Sequence, residues 1–301
     1  MRFPGTRMLS AAAGLAVLVG LGTMAHAQGL KVPDKGMEIK VDTVPEIAAM
    51  LPEDYRKRGV INIGATSSNL PAQIVTESGE LIGLAVDMYR AAAKVLGVDT
   101  KFEVITFDGM LPGVESGRYD VGTMGDSIER EKVIDHITLY HNGLAIIARA
   151  ENDTAIKDWA DLCGKSVAVT KASLAGRNLE QYSAKLCVAE GKQPIEISSY
   201  VDAAGTTLAV VSRQNEFGIQ ETIVGMAFAA RNPDVLKVVY NMSLGTSGAG
   251  IKKGNDGFRD AFYAALLHLV KIGFYKDAMT FYGLPELMYP ELPMNLAGQA
   301  K

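Results

Sequence analysis

From residue 60 onward the chain alternates between a period of two and a period near four. Val60-Ile61-Asn62-Ile63-Gly64 alternates as a strand does, and Ala65-Thr66-Ser67-Ser68-Asn69-Leu70-Pro71 has the composition of a loop. Glu77-Ser78-Gly79-Glu80 reads as a hairpin tip. Residues 85–96 place Val86, Tyr89, Ala93 and Leu96 on one helical face, with Gly97 as the stop. Strands are predicted over 101–106, 119–122 and 144–149, a short helix over 109–116, and the start of another helix over 129–133.

A second alternating unit begins near Ala150. A short helix is expected over 159–162, a buried strand over 166–170, and a helix capped by Ser173 that runs towards Leu186. Strands follow at 195–197, 217–219 and 235–240, with a helix over 202–211 between the first two. The segment 248–253 precedes a long helix over 258–272, whose apolar face repeats Phe258, Phe262, Leu266 and Leu269. Residues 28–59 and 291–301 show no clear period and are expected to be weakly structured ends. Strands and helices in this order predict an α/β protein of two units with mostly parallel sheets.

The first residues read as an address. Arg2 and Arg7 give a basic start, residues 9–22 a nearly unbroken apolar run, and Ala25-His26-Ala27 a cleavage site. The apolar run is shorter than a membrane-spanning helix needs. Separated arginines argue against twin-arginine export, and the lack of a cysteine there argues against a lipoprotein. Residues 1–27 are therefore expected to be removed after Ala27, leaving a periplasmic protein.

Length and charge narrow the partners. A chain of 301 residues exceeds what one core usually holds. With 30 Lys+Arg against 34 Asp+Glu, nucleic acid is not the expected partner. An oxidising compartment makes a disulfide between Cys163 and Cys187 the better reading, since neither cysteine has a second ligand at metal spacing and CxxC is absent. No nucleotide-binding glycine loop, GxSxG or HExxH occurs, and beyond the leader only His136, His141 and His268 remain. Neither a cofactor nor a metal is expected, and binding is a better expectation than catalysis.

One run is distinctive: Phe107-Asp108-Gly109-Met110-Leu111-Pro112-Gly113-Val114-Glu115-Ser116-Gly117-Arg118-Tyr119-Asp120-Val121. It resembles FDGLIPGLQSGRYDV of the periplasmic solute-binding proteins of polar amino-acid ABC importers, family 3. Glu129-Arg130-Glu131-Lys132-Val133-Ile134-Asp135 is similar to ERxKVVDF of the same family. Asp161-Leu162-Cys163-Gly164-Lys165-Ser166-Val167-Ala168-Val169 is similar to DLCGKKVAV of its cysteine-bearing branch. The similarity covers roughly residues 60–285.

The resemblance implies a two-lobe periplasmic binding protein fold of type II. Lobe 1 would comprise 28–146 and 247–301, lobe 2 would comprise 147–246, and two crossover strands would join them. It implies a small carboxylate-bearing solute, an amino acid or derivative, bound in the cleft of a monomer and passed to an ABC permease in the inner membrane. Arg130 would hold the carboxylate. Ser173, in a turn that keeps one of the family's two hydroxyls, would support it, and Glu221 would meet the ammonium.

Three positions depart from the family. Asn69 stands where an aromatic usually stacks on the ligand. Gly125 replaces the threonine whose hydroxyl meets the carboxylate, with Thr123 the nearby threonine of that stretch. The GFDVDL motif is reduced to Gly83-Leu84-Ala85-Val86-Asp87-Met88. Two rivals follow from the same fold. A periplasmic cyclohexadienyl dehydratase would use cleft acids, with Glu221 and His141 as the acid/base pair, although no spacing supports that pair. A ligand sensor would use the same closing cleft to address a membrane receptor.

Overall fold

The computed structural model describes residues 33–289 and 291–299. The leader, residues 1–27, lies outside the described residues. The strands are β1 (Val60–Ala65), β2 (Ser68–Asn69), β3 (Gln73–Val75), β4 (Leu81–Ile82), β5 (Asp99–Val104), β6 (Val121–Gly125), β7 (Ile134–Arg149), β8 (Ser166–Thr170), β9 (Glu196–Tyr200), β10 (Phe217–Glu221) and β11 (Leu236–Lys252). Eight of them form one sheet in the order β5-β1-β6-β11-β7-β10-β8-β9, and β2-β3-β4 form a small antiparallel sheet.

Two long strands tie the molecule together. β7 and β11 run antiparallel from the Leu236–Arg149 pair to the Lys252–Ile134 pair. β6 pairs only with residues 247–250 of β11, and β10 only with residues 144–148 of β7. One end of the ribbon therefore carries the parallel set β5-β1-β6, and the other end carries β10-β8-β9. This is the two-lobe, type II arrangement. The sheets are parallel within each lobe, as expected, and antiparallel where the crossover strands meet them.

Each lobe has its own core. In the first, helix Leu84–Val95 is buried along nearly its whole length and meets helix Asp256–Lys271, with the Tyr89 and Phe262 rings 5.8 Å apart. Gly83 starts the former helix at φ 135°, and a Cβ there would lie 2.3 Å from the Ala72 carbonyl oxygen, so only glycine fits. In the second, β8 and β10 pack on helix Leu174–Tyr182 through Val167, Val169, Leu179 and Ile219. Cys163 and Cys187 are bonded at the edge of this core.

Several expectations need correction. Residues 129–133 do not begin a helix. Arg130–Lys132 is a single 3-10 turn, because the β-branched run after it pairs with β11 and fixes the chain as strand from Ile134. Residues 235–240 and 248–253 are parts of one strand, which shifts register between Val238 and Tyr240, Met242 and Leu244, and Ser247 and Gly248. Those irregularities break the period that would have revealed it.

The chain ends are also better packed than expected. Helices Pro45–Ala48 and Glu53–Arg58 are too short to show a period, yet Leu51 and Tyr55 are buried and Tyr55 stacks on Phe258 at 4.6 Å. At the other end Leu292 is buried and Met294 bridges to Ile137.

Candidate functional site

A cleft of about 380 Å³ lies between the lobes, a size suited to a small molecule. Its floor is the middle of the crossover ribbon: Asn142, Gly143, Leu144, Gly245 and Thr246. Thr66, Ser68, Asn69, Phe107 and residues 125–130 form one wall. Residues 173–178, Gln181, Asp202, Ala203, Gln220 and Glu221 form the other.

Arg130 stands on the turn after β6, with 4% of its surface exposed. Nη1 donates to the Gly125 carbonyl at 2.7 Å, and Nη2 reaches the Ala172 carbonyl of the opposite lobe at 3.5 Å. The guanidinium carbon lies 5.5 Å from the Phe107 ring centre, and Nε is buried without a partner. Burial, and then the charge of Arg177, pull its pKa down to about 10, so it is cationic at neutral pH. Anchored on one side and partnerless at Nε, this fork offers donors to a ligand anion.

Glu221 ends β10, where the chain turns into helix Thr222–Arg231. Its Oε2 accepts from Asn142 Nδ2 at 2.7 Å, and Asn142 Oδ1 accepts from the Gly143 N–H at 3.0 Å. Burial raises the carboxyl above its ordinary range, while Asn142, the Arg130 charge and Asn69 draw it back. The structure thus brings a buried cation and a buried acid to one cleft.

The remaining sequence-predicted residues divide. Ser173 lines the cleft and caps helix Leu174–Tyr182, its Oγ accepting from the Gly176 N–H at 3.2 Å. Asn69 lines the opposite wall from β2, with Oδ1 buried and unpartnered. Gly125 ends β6 and presents its carbonyl to Arg130.

Thr123 is a correction: its side chain is not in the cleft wall. It alternates with Gly125 along β6 and is fully buried, donating to Tyr89 Oη at 3.1 Å and accepting from Gln73 Nε2 at 3.0 Å. The acid/base pair of the rival enzyme is not assembled either. Asn142 faces Glu221, so the adjacent His141 points to the other side of β7, where it stacks on Tyr289 at 3.6 Å.

Sequence reasoning missed Asn142 and Arg177. Asn142 lies in a stretch of β7 with no alternation. Arg177 had a signal, since it follows Ser173 by four residues and so lies on the same helical face.

Comparison with known proteins agrees with this geometry. The family profile of the bacterial extracellular solute-binding proteins, family 3, matches residues 61–284. The chain belongs to that family. The arginine-binding protein ArgT of Corynebacterium glutamicum is 31% identical over 98% of each chain. The L-cystine-binding protein TcyJ of Escherichia coli K12 is 25% identical, covering 86% of this chain and 92% of its own. An ancestral arginine-binding protein solved with arginine is 28% identical at a TM-score of 0.68, covering 75% of this chain and 99% of its own. This family 3 protein thus keeps the company of binding proteins rather than enzymes. Among its described residues no helix is long and apolar enough to cross a membrane.

Proposed function

We propose that the protein captures an amino acid or amino-acid derivative outside the cytoplasm and delivers it to an ABC importer. The observation that carries this reading is the placement of Arg130 and Glu221 in one enclosed cleft between lobes joined only through a strand ribbon. Arg130 takes the carboxylate through its unpartnered donors, the Ser173 hydroxyl supports it, and Glu221 takes the ammonium. Asn69 closes over the ligand from the first lobe, and the Gly125 carbonyl keeps the guanidinium in place. The relatives named for arginine and cystine support an amino-acid ligand.

The hinge follows from the same ribbon. Lobe 1 comprises 28–146 with 247–301 and lobe 2 comprises 147–246, boundaries that fall on β7 and β11, so bending there opens and closes the cleft. The leader is cleaved after Ala27, the mature protein is a periplasmic monomer, and its closed form docks on an inner-membrane permease. Binding needs no cofactor.

Thermal unfolding against a panel of amino acids, derivatives and organic acids tests this. A ligand at about 100 times its Kd adds about 2.7 kcal/mol to the folded state and raises the Tm by several degrees. Arg130→Ala should remove that shift without changing the unliganded Tm by a comparable amount. A wild-type protein that responds to no amino acid, or an Arg130→Ala variant that responds like wild type, overturns the assignment.

A further inference from the structure

The cleft holds a second guanidinium that the roles above do not use. Arg177 lies in the first turn of helix Leu174–Tyr182, and its Nη1 donates to the Ala172 carbonyl at 3.1 Å. Arg130 Nη2 approaches the same oxygen at 3.5 Å from the other lobe. Two cations thus converge on one neutral acceptor. Both also line a second cavity of about 190 Å³ that adjoins the cleft at Phe107.

The acids nearby do not balance them. Asp108 is paired with Lys171 at 2.8 Å. Asp202 accepts from the Gly205 N–H at 2.8 Å as a helix cap. Asp126 Oδ2 accepts from the Ala297 N–H at 3.0 Å and lies 3.7 Å from the His136 ring. Glu129 is exposed at the rim. Glu221 is committed to Asn142 and to the ligand ammonium.

This end of the cleft is therefore electropositive, with an unpartnered buried donor at Arg130 Nε and a single hydrogen bond made by Arg177 among the described residues. Like charges held together in a partly desolvated cleft call for an anion between them. Four residues of helix separate Ser173 from Arg177, a rise of about 6 Å. That span matches the distance from an α-carboxylate at Ser173 and Arg130 to a carboxylate at the end of a short side chain.

We propose that Arg177 is a specificity-determining residue that selects an amino acid with an acidic side chain, in the aspartate and glutamate class. This rests on the amino-acid reading above and separates the protein from its arginine-binding relatives. A cationic side chain would meet two guanidiniums.

Titration calorimetry with L-glutamate, L-aspartate, L-glutamine, L-asparagine and L-arginine tests it. Each acid should bind at least about tenfold more tightly than its amide, as expected for a charge-assisted contact, and arginine more weakly still. Arg177→Gln should erase the preference for the acids while leaving the amides within about threefold of wild type. Arg177→Lys should restore part of it. Tighter binding of an amide or of arginine by wild type overturns the proposal alone. Equal weakening of acid and amide in Arg177→Gln also overturns it, because Arg177 would then be a second hand on the α-carboxylate. Binding of no amino acid of any charge overturns the amino-acid reading and this inference with it.

Discussion

Lys171 and Asp108 face each other at 2.8 Å across the mouth of the cleft, one after β8 in the second lobe and the other after β5 in the first. Thr106 Oγ1 also donates to the Asp108 carboxylate at 2.5 Å. The Lys171 contact, and then Thr106, hold the Asp108 carboxyl below its ordinary range. The pair exists only while the lobes are together, so it acts as a latch on the closed form.

Opening this latch should weaken binding modestly. Both side chains are largely solvated, so Asp108→Asn or Lys171→Gln should lower affinity only about two- to fivefold. The effect should shrink as salt rises from about 50 mM to about 500 mM, because screening already weakens the wild-type contact. The lowered carboxyl adds stability above its unfolded value of 3.8, and that contribution is lost as pH falls through the still lower folded value. Calorimetry at two salt concentrations checks this. An affinity unchanged in both variants at low salt would show that the pair does not hold the lobes.

The Cys163–Cys187 bond closes a loop of 24 residues beside the core of the second lobe. On the chain-entropy account such a loop restricts the unfolded chain enough to add about 3 kcal/mol to stability. Cys163→Ala with Cys187→Ala should lower the Tm by roughly 5–10 °C. Neither sulfur lines the cleft, so ligand affinity should stay within about twofold. Scanning calorimetry with and without reductant tests the first point, and an unmoved Tm would show that the bridge is not a stabilising element.

Glu221 predicts how binding depends on pH. Burial raises its carboxyl above 4.5, so the empty cleft keeps the proton to a higher pH than the unfolded chain does. The group's favourable share of empty-state stability is therefore present below 4.5 and is lost as pH rises through the raised value. A ligand ammonium pairs with the ionised form, so affinity should rise with pH across that window and binding should release a proton there. Glu221→Gln should lower affinity about tenfold or more and flatten the pH dependence. Calorimetry in buffers of different ionisation enthalpy counts the proton. Uptake instead of release would remove Glu221 from the ammonium site.

Much of this was legible in the sequence because local signals and tertiary demands coincide. Ser173 reads as a cap and is one, with the strand before it falling at Ser166–Thr170 as its apolar run suggested. Arg130 and Glu221 were found through the motifs around them, and both line the cleft. The crossover strands were not legible as single elements. β7 passes through Tyr140-His141-Asn142-Gly143, where the strand leaves one lobe's core for the other and no one face stays buried. Thr123 was misplaced for a simpler reason, since along a strand a shift of one residue exchanges the cleft face for the core face.

Gly125 offers the sharpest test of how closely the lobes must meet. A Cβ on Gly125 would lie 3.1 Å from Leu174 Cδ1, in the opposite lobe, and 3.4 Å from the Thr246 carbonyl oxygen on the floor. Both distances are tighter than a comfortable carbon contact, and the Leu174 contact forms only when the cleft closes. Gly125→Ala should therefore leave the unliganded Tm nearly unchanged while weakening ligand binding about three- to tenfold, as mild overpacking does. It should also disturb Arg130, whose Nη1 rests on the carbonyl of the same residue at 2.7 Å. Leu174→Ala removes the clashing methyl, so the double variant should bind more tightly than Gly125→Ala alone. The rescue should be partial, because the Thr246 carbonyl remains. A double-mutant cycle on ligand affinity measures the coupling. If Gly125→Ala costs the same with and without Leu174→Ala, the lobes do not meet through these two residues when the ligand is held.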